Sequence, residues 1–338
     1  MSEVLQATLA QGLSGGEADS RCPLCGAPGA VLEPALADLF FGYPGQWRYD
    51  RCTAAACGVG WIAEPLPPEQ LAEAYDRYYT HDAPPPSAAE IALGRWFAKE
   101  FARRGDRFPR VPFLFREAEN HVLDAGALPP LAQGLALDVG CGGGERLDYL
   151  KAIGWGRARG VEFDPVAVAR AREQGRDVAQ GSAEAIPVED GCADAVFLHH
   201  VVEHLADVRL ALSEARRVLR PGGHLVITTP NLDSAGRTRW GPAWRGYEAP
   251  RHLRLYTLRA LCRAVSEAGF AVREARTSFR ATPFIDRESA RVSPALPPRS
   301  PLPWWTEDRD MRRAEARRRA GEEMGEELFL VARAEHSA

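Results

Sequence analysis

The sequence predicts an α/β fold: a mostly parallel sheet with helices on both faces, preceded by a small cysteine-bearing unit. Three observations carry this reading. From residue 135 onward, short apolar runs alternate with stretches of helical period, as in a chain that crosses over between parallel strands. The first run, Leu135–Val139, ends in Gly140-Cys141-Gly142-Gly143-Gly144 just before a helix. Doubly wound sheets bind ligands at such a corner. Four cysteines fall in two close pairs between residues 22 and 57, in a stretch with several Gly and Pro and little helical periodicity.

Residues 1–20 are small and polar and read as a loose tail. Residues 21–66 read as a loop-and-hairpin unit. Leu71, Ala74, Tyr75 and Tyr78 recur at helical spacing, which predicts a helix over 67–79. Pro84, Pro85 and Pro86 then break the chain, and 88–126 looks helical in pieces. Residues 67–130 are therefore expected to form a helical connector that covers a site. Residues 131–338 form the main domain. Its strands are expected at 135–139, 158–163, 177–180, 193–199, 223–229, 270–276 and 327–334, and its helices at 146–153, 165–174, 208–219 and 258–268. Pro165 stands in a first helical turn, where its missing N–H costs nothing. Arg220-Pro221-Gly222-Gly223 is a turn signal ahead of a strand. The Pro-rich stretch 281–305 reads as a surface insertion. Residues 307–323 mix Arg and acids at helical spacing, which reads as a solvated helix.

The 338 residues carry 42 Lys and Arg against 46 Asp and Glu, a formal net charge of −4. Hydrophobic residues at 45% and charged residues at 26% exclude a mainly disordered chain. The mild acidity argues against a general binder of nucleic acid or anionic membrane. No run approaches the roughly 18 apolar residues that span a bilayer. The first 20 residues have acids and no basic start, unlike a secretory signal. Seven cysteines, four of them in metal-like spacing, fit a reducing cytoplasm better than a disulfide scaffold.

The glycine turn implies a ligand pressed against backbone. A dinucleotide fingerprint would place Gly at position 145, which is Glu here, and Asp138 also enters the turn. Two acids beside a helix N-terminus oppose a pyrophosphate and suit a cationic or zwitterionic ligand. Glu162, about 20 residues on, can accept both ribose hydroxyls. Cys141 reads as a small packing residue, since nothing beside it supplies a base.

These motifs resemble those of the class I S-adenosylmethionine-dependent methyltransferases. Residues 138–144 are similar to that family's first motif, and Gly160-Val-Glu-Phe-Asp164 to its second. Gly181-Ser-Ala-Glu-Ala-Ile-Pro187 resembles the adenine-side segment, 194–204 the fourth-strand motif, and 219–231 the segment around the fifth strand. The resemblance implies a Rossmann-like seven-stranded sheet and S-adenosyl-L-methionine as cofactor. It also implies binding by Asp138, Gly140, Cys141, Gly142, Glu162, Phe163, Ser182, Ala183 and His199. Many relatives have Asp where Ser182 stands, so adenine recognition should lean on the backbone of Ala183.

Cys22-Pro-Leu-Cys25 and Cys52-Thr-Ala-Ala-Ala-Cys57 form two separated pairs, as a tetrahedral thiolate site requires. They are expected to hold a structural Zn²⁺, closed to substrate. The acids around them would repel phosphates. The unit is similar to the zinc-ribbon leader of some bacterial methyltransferases of small metabolites and sugars. A small-molecule acceptor is the expectation. A zinc-ribbon rRNA base methyltransferase and a non-catalytic adaptor are the alternatives.

His199, His200, Glu203 and His204 follow the expected fourth strand. In the ubiquinone-biosynthesis O-methyltransferases the positions matching His200, Glu203 and His204 resemble a divalent-metal set. His replaces the usual Glu at 200, which points to a softer metal than Mg²⁺ or to none. The other reading is that Glu203 and His204 cap the following helix. Trp240 and Trp244 either wall an acceptor pocket or pack a lid. His252 is the candidate base, with His200 beside the methyl position.

Overall fold

The computed structural model describes residues 20–75, 128–279, 281–293 and 322–335, together with positions 89, 92, 96 and 316. Two sheets organise them. The larger has seven strands: β4 (Leu135–Val139), β5 (Arg157–Glu162), β6 (Val178–Gln180), β7 (Ala193–His199), β8 (Leu219–Pro230), β10 (Phe270–Ser278) and β11 (Glu327–Ala334). Their order is β10-β11-β8-β7-β4-β5-β6. β4 pairs in parallel with β5 on one side and β7 on the other, and only β11 and its pairings are antiparallel. The strand order therefore reverses at β4, and a crevice opens at its carboxyl end. Every residue of β4 is buried, as a central parallel strand covered on both faces requires.

The helices of this layer are α2 (Glu145–Ile153), α3 (Pro165–Glu173), α4 (Val208–Val218), α5 (Ala235–Trp240), α6 (Leu258–Glu267) and α7 (Thr282–Val292), counting α1 (Pro68–Tyr75) as the first. α4 buries Val208, Ala211, Leu212, Ala215 and Val218, one stripe at i, i+3, i+4 spacing. Asp164 caps α3, Asp207 caps α4, Ser234 caps α5 and Thr257 caps α6, each accepting from an orphan backbone N–H. The cap of α4 is thus Asp207, and Glu203 and His204 lie in a separate 3₁₀ turn, Val202–His204.

Two boundaries differ from expectation. β8 begins at Leu219 rather than after the Pro-Gly-Gly turn. Leu219 already pairs with Ala193, the turn loops out, and pairing resumes at His224 with Ala195. The turn therefore bulges one strand instead of starting it. Within 281–305, residues 282–292 form α7 rather than an irregular insertion. Pro283 sits in its first turn, where proline is tolerated. Ser289 of α7 is buried and accepts from Arg245 N–H at 2.9 Å. The rest of that stretch, the tail 1–19, most of the 67–130 connector and most of 307–323 lie outside the described residues.

The smaller sheet is β1 (Gly29–Leu36), β2 (Trp47–Cys52), β3 (Gly60–Ile62) and β9 (Arg254–Leu255), all antiparallel. β9 belongs to the chain beyond the parallel strands, so the N-terminal unit borrows its edge from the main domain. Leu36, Trp47, Tyr49, Ile62 and Leu71 share one apolar cluster with Trp244, Tyr247, Leu253 and Leu255. Burial of this shared surface, rather than a linker, fixes the unit against the domain.

Candidate active site

The crevice at the end of β4 is made of backbone. Gly140, at φ 74°, donates to Val161 O at 2.7 Å; a Cβ there would meet Val201 at 2.5 Å. Gly142, at φ 53°, has nothing within 4 Å of its Cβ position, so the turn presents open backbone there. Its N–H donates to Glu162 Oε2 at 2.8 Å, and Glu162 Oε1 accepts from Phe163 and Asp164 N–H at 2.9 and 3.0 Å. Burial pushes the Glu162 carboxyl up, and these three N–H groups oppose that rise. Asp138 is buried beneath the turn, with Arg146 Nε 3.4 Å from its Oδ1. Cys141 is a protonated thiol: burial pushes it well up, helped by Asp138, Glu162 and Glu145. Gly181 N–H donates to Glu162 O at 2.9 Å, which sets Ser182 and buried Ala183 beside Glu162. Asp138, Gly140, Cys141, Gly142, Glu162, Phe163, Ser182 and Ala183 thus gather at one corner.

The second half of the site is made of side chains. His199 ends β7 and meets His200 edge-on at 4.6 Å between ring centres. His200 adopts φ 53° and places Nδ1 3.0 Å from Glu203 Oε1 and Nε2 2.9 Å from Glu327 Oε1. Burial alone would lower its pKa, but the two carboxylates push it up to about 10. His200 is therefore an imidazolium at neutral pH with both nitrogens engaged, which suits neither a base nor a metal ligand. Glu203 is fully buried and also accepts from Thr229 Oγ1 at 2.9 Å. Burial would raise its pKa, but the bond to His200 holds it near 2.

His204 Nδ1 lies 2.9 Å from Tyr75 Oη and 3.1 Å from Arg251 O. His252 Nδ1 lies 2.8 Å from Gly246 O, and its ring centre is 4.7 Å from that of His204. Burial pushes His252 well below the ordinary imidazole range, so it is neutral. Tyr75, on α1, also meets Phe163 edge-on at 5.9 Å. It bridges the glycine corner and the histidines. Trp244 is fully buried and donates to Glu326 Oε2 at 3.0 Å, while Trp240 donates to Asp286 Oδ1 at 2.6 Å. Both pack the shell around the site rather than wall a pocket.

A family model described as a methyltransferase domain matches residues 98–275, more than half of the chain. The chain belongs to this methyltransferase family. Several of its curated relatives are methyltransferases by name. A malonyl-(acyl-carrier protein) O-methyltransferase of Serratia marcescens is 30% identical over 184 residues, covering 53% of this chain and 70% of that protein. A ubiquinone biosynthesis O-methyltransferase of Azorhizobium caulinodans is 38% identical over 116 residues, covering 32% of this chain and 45% of that protein. A probable S-adenosylmethionine-dependent methyltransferase of Mycolicibacterium smegmatis is 34% identical over 140 residues, covering 41% of this chain and 52% of that protein. The chain thus spans about half the length of the last two.

The four cysteines lie outside this matched region. Cys22 and Cys57 sulfurs are 3.7 Å apart, Cys25 and Cys52 3.4 Å, and all four lie within 4.8 Å of one another. A tetrahedral Zn–S site with bonds of about 2.3 Å needs sulfurs about 3.8 Å apart. The donor set fits such an ion. Without one, burial pushes the Cys57 thiol up to about 11, against the thiolate that a metal requires.

The sequence reading missed Arg146, Tyr49, Asp38, Glu248 and Arg251. Arg251 is fully buried, donates to Asp38 Oδ2 at 2.7 Å and to Ala74 O at 2.9 Å, and stacks on Phe41. Tyr49 Oη donates to His252 O. These residues are far apart in sequence and carry no local signature. The only available hint was the charged Pro-Arg-His segment at 250–252 within an otherwise aromatic stretch.

Proposed function

We propose that this methyltransferase transfers the methyl group of S-adenosylmethionine to a small-molecule acceptor by direct displacement at the methyl carbon. The observation that carries the reading is Glu162, a buried carboxylate fixed by three N–H groups beside the open backbone at Gly142. Such a group at a switch point accepts ribose hydroxyls. Asp138 paired with Arg146 offers both charges beneath the turn, which suits an amino-acid end bearing ammonium and carboxylate. Ser182 and the Ala183 backbone would take the adenine edge, Phe163 one ring face, and His199 the methyl side.

When bound, S-adenosylmethionine supplies an activated methyl group, so the protein need only align the acceptor, exclude water and favour loss of the acceptor's proton. Tyr75 and the cluster of Glu203, His204 and His252 face that task. Their negative charge and ring-nitrogen lone pairs favour an acceptor that gives up a proton. His200, already protonated, would instead hold Glu203 in place. Cys22, Cys25, Cys52 and Cys57 would hold a structural Zn²⁺. The names of the relatives, which act on malonyl-(acyl-carrier protein) and in ubiquinone biosynthesis, support a small acceptor group.

Calorimetry with S-adenosylhomocysteine tests the cofactor half, and transfer of labelled methyl to a panel of small hydroxy and carboxy acceptors tests the rest. Binding by the wild type that Glu162→Ala weakens by about 100-fold is the expected result. A wild type that does not bind overturns the reading.

A further inference from the structure

Arg251 is a full charge with no exposure to solvent. Its guanidinium is held on three sides. Nη2 donates to Asp38 Oδ2 at 2.7 Å, Nε donates to Ala74 O at 2.9 Å, and the central carbon stands 4.4 Å over the Phe41 ring centre. Asp38 is itself fixed by the N–H groups of Phe40, Phe41 and Tyr43. A planar fork gripped at its edge and on its face has one orientation. The other end of the residue is engaged as well. Arg251 N–H donates to Glu248 O at 2.9 Å, and Arg251 O lies 3.1 Å from His204 Nδ1. Ala74 directly precedes Tyr75 on α1, and Tyr75 Oη is 2.9 Å from the same His204 Nδ1. One residue therefore holds both partners of the Tyr75–His204 contact, one through its side chain and the other through its backbone. Stability alone does not call for this arrangement. A buried ion pair gains little over an apolar pair of the same volume, because two charges must leave water. Apolar burial, however, has no direction and cannot aim a carbonyl.

We propose that Arg251 is a positioning residue: gripping Ala74 with its guanidinium and His204 with its carbonyl, it sets the contact between Tyr75 and His204. Tyr75 also meets Phe163 edge-on at the glycine corner, so this contact stands where the two halves of the site join. On the methyl-transfer reading, groups that align donor and acceptor tolerate little displacement, and a shift of about 1 Å costs up to about 100-fold in rate. Arg251 would reach the reaction only through Tyr75 and His204. The turn at 38–43 would act one step further back, since Asp38 and Phe41 aim the guanidinium. The role in methyl transfer rests on the reading above; the placement of Tyr75 and His204 by Arg251 does not.

The test reads His204 itself, by NMR of the full chain with histidine labelled in its ring nitrogens. The His204 signals are those that vanish in His204→Gln. Tyr75→Phe is expected to move the Nδ1 signal, because it removes the hydroxyl. Arg251→Lys keeps a charge for Asp38 but has no fork to reach Ala74 O as well. It is expected to move the signal too, and adding Tyr75→Phe to it should then move the signal little further. A cooperative unfolding transition shows that each variant folds. A His204 signal that stays in place in Arg251→Lys overturns the proposal, and so does a full further shift on adding Tyr75→Phe. If Arg251→Lys does not fold, Asp38→Asn takes its place with the same two outcomes, since it keeps an oxygen for the N–H groups and drops the charge that aims the guanidinium. In methyl transfer, Arg251→Lys should lower kcat by about tenfold or more, with no further loss when Tyr75→Phe is already present. Losses that multiply would overturn the proposal. The NMR signals need neither cofactor nor acceptor, so failure of S-adenosylhomocysteine to bind the wild type would count against the proposed function alone.

Discussion

The two halves of the site are built in opposite ways. The corner proposed for the cofactor is backbone: glycines, three N–H groups on one carboxylate, and a strand end, all from 138–183. The half proposed for the acceptor is side chains drawn from 38, 49, 75, 203–204 and 246–252, buried against one another in ion pairs and hydrogen bonds. A corner made of backbone needs only the fold of one α/β unit. A wall made of distant side chains needs the N-terminal unit docked, because Asp38 and Tyr49 supply its outer contacts. The lesson is that the cysteine-bearing unit belongs with the half proposed above for the acceptor.

The largest effect that would separate the halves comes from Asp38. It holds buried Arg251 and accepts from Phe40, Phe41 and Tyr43 N–H. Asp38→Ala should cost about 3–5 kcal/mol, as expected when one partner of a buried pair is removed. Chemical denaturation measures it. Cofactor affinity of the folded fraction should stay within about threefold, about 0.7 kcal/mol. A large loss of affinity would erase the contrast between the halves.

The pH dependence of the shell around Trp244 comes next. Burial pushes the Glu326 carboxyl up to about 7, above its ordinary value, against the bonds from Trp244 and Gly236. Between about pH 4.5 and 7 the folded state therefore holds a proton that the unfolded state has lost, so stability falls as pH rises through this window. Glu326→Gln stays neutral throughout. Its unfolding free energy relative to wild type should rise from pH 5 to pH 8, by at most about 3 kcal/mol. Denaturation midpoints at the two pH values decide; an unchanged difference refutes the assignment.

On the cofactor side, Glu162→Ala should weaken S-adenosylhomocysteine binding by about 100-fold, near 3 kcal/mol, as expected for a charged group that accepts more than one hydrogen bond. His252→Gln should leave that affinity within about twofold. Equal losses in the two variants would show that the halves are not separate.

The smallest effect joins the two sheets. Thr257 caps α6 through Ala260 N–H and donates to Cys57 O at 2.8 Å. Thr257→Ala should lower stability by about 1 kcal/mol. If the cysteine cluster holds metal, chelation should shrink this loss, because the Cys57 carbonyl would no longer be fixed.

Much of the cofactor corner was legible in the sequence. Leu135–Val139, Ala193–His199 and Glu327–Ala334 are strands at the predicted bounds, because continuous apolar runs between turn residues leave a buried strand no other length. Glycine spacing located the crevice, since the turn after β4 takes Gly140, Gly142 and Gly144 through left-handed backbone. The charge state of His200 was not legible. It depends on Glu327, 127 residues away, which antiparallel pairing of β11 with β8 brings to the carboxyl end of β7. Nor could spacing reveal that His252, rather than His200, stands beside His204.

By itself the sequence determined the α/β alternation, the glycine turn with Asp138 and Glu162, and the four-cysteine pattern. Each rests on residues near one another in the chain or at fixed offsets, so local sterics and periodicity suffice. The tertiary structure alone decided the docking of the N-terminal unit through β3 and β9, the Asp38–Arg251 pair, and the meeting of Glu203, His204 and His252. Those arrangements are set by which apolar surfaces bury one another, and that choice belongs to the whole chain rather than to any segment of it.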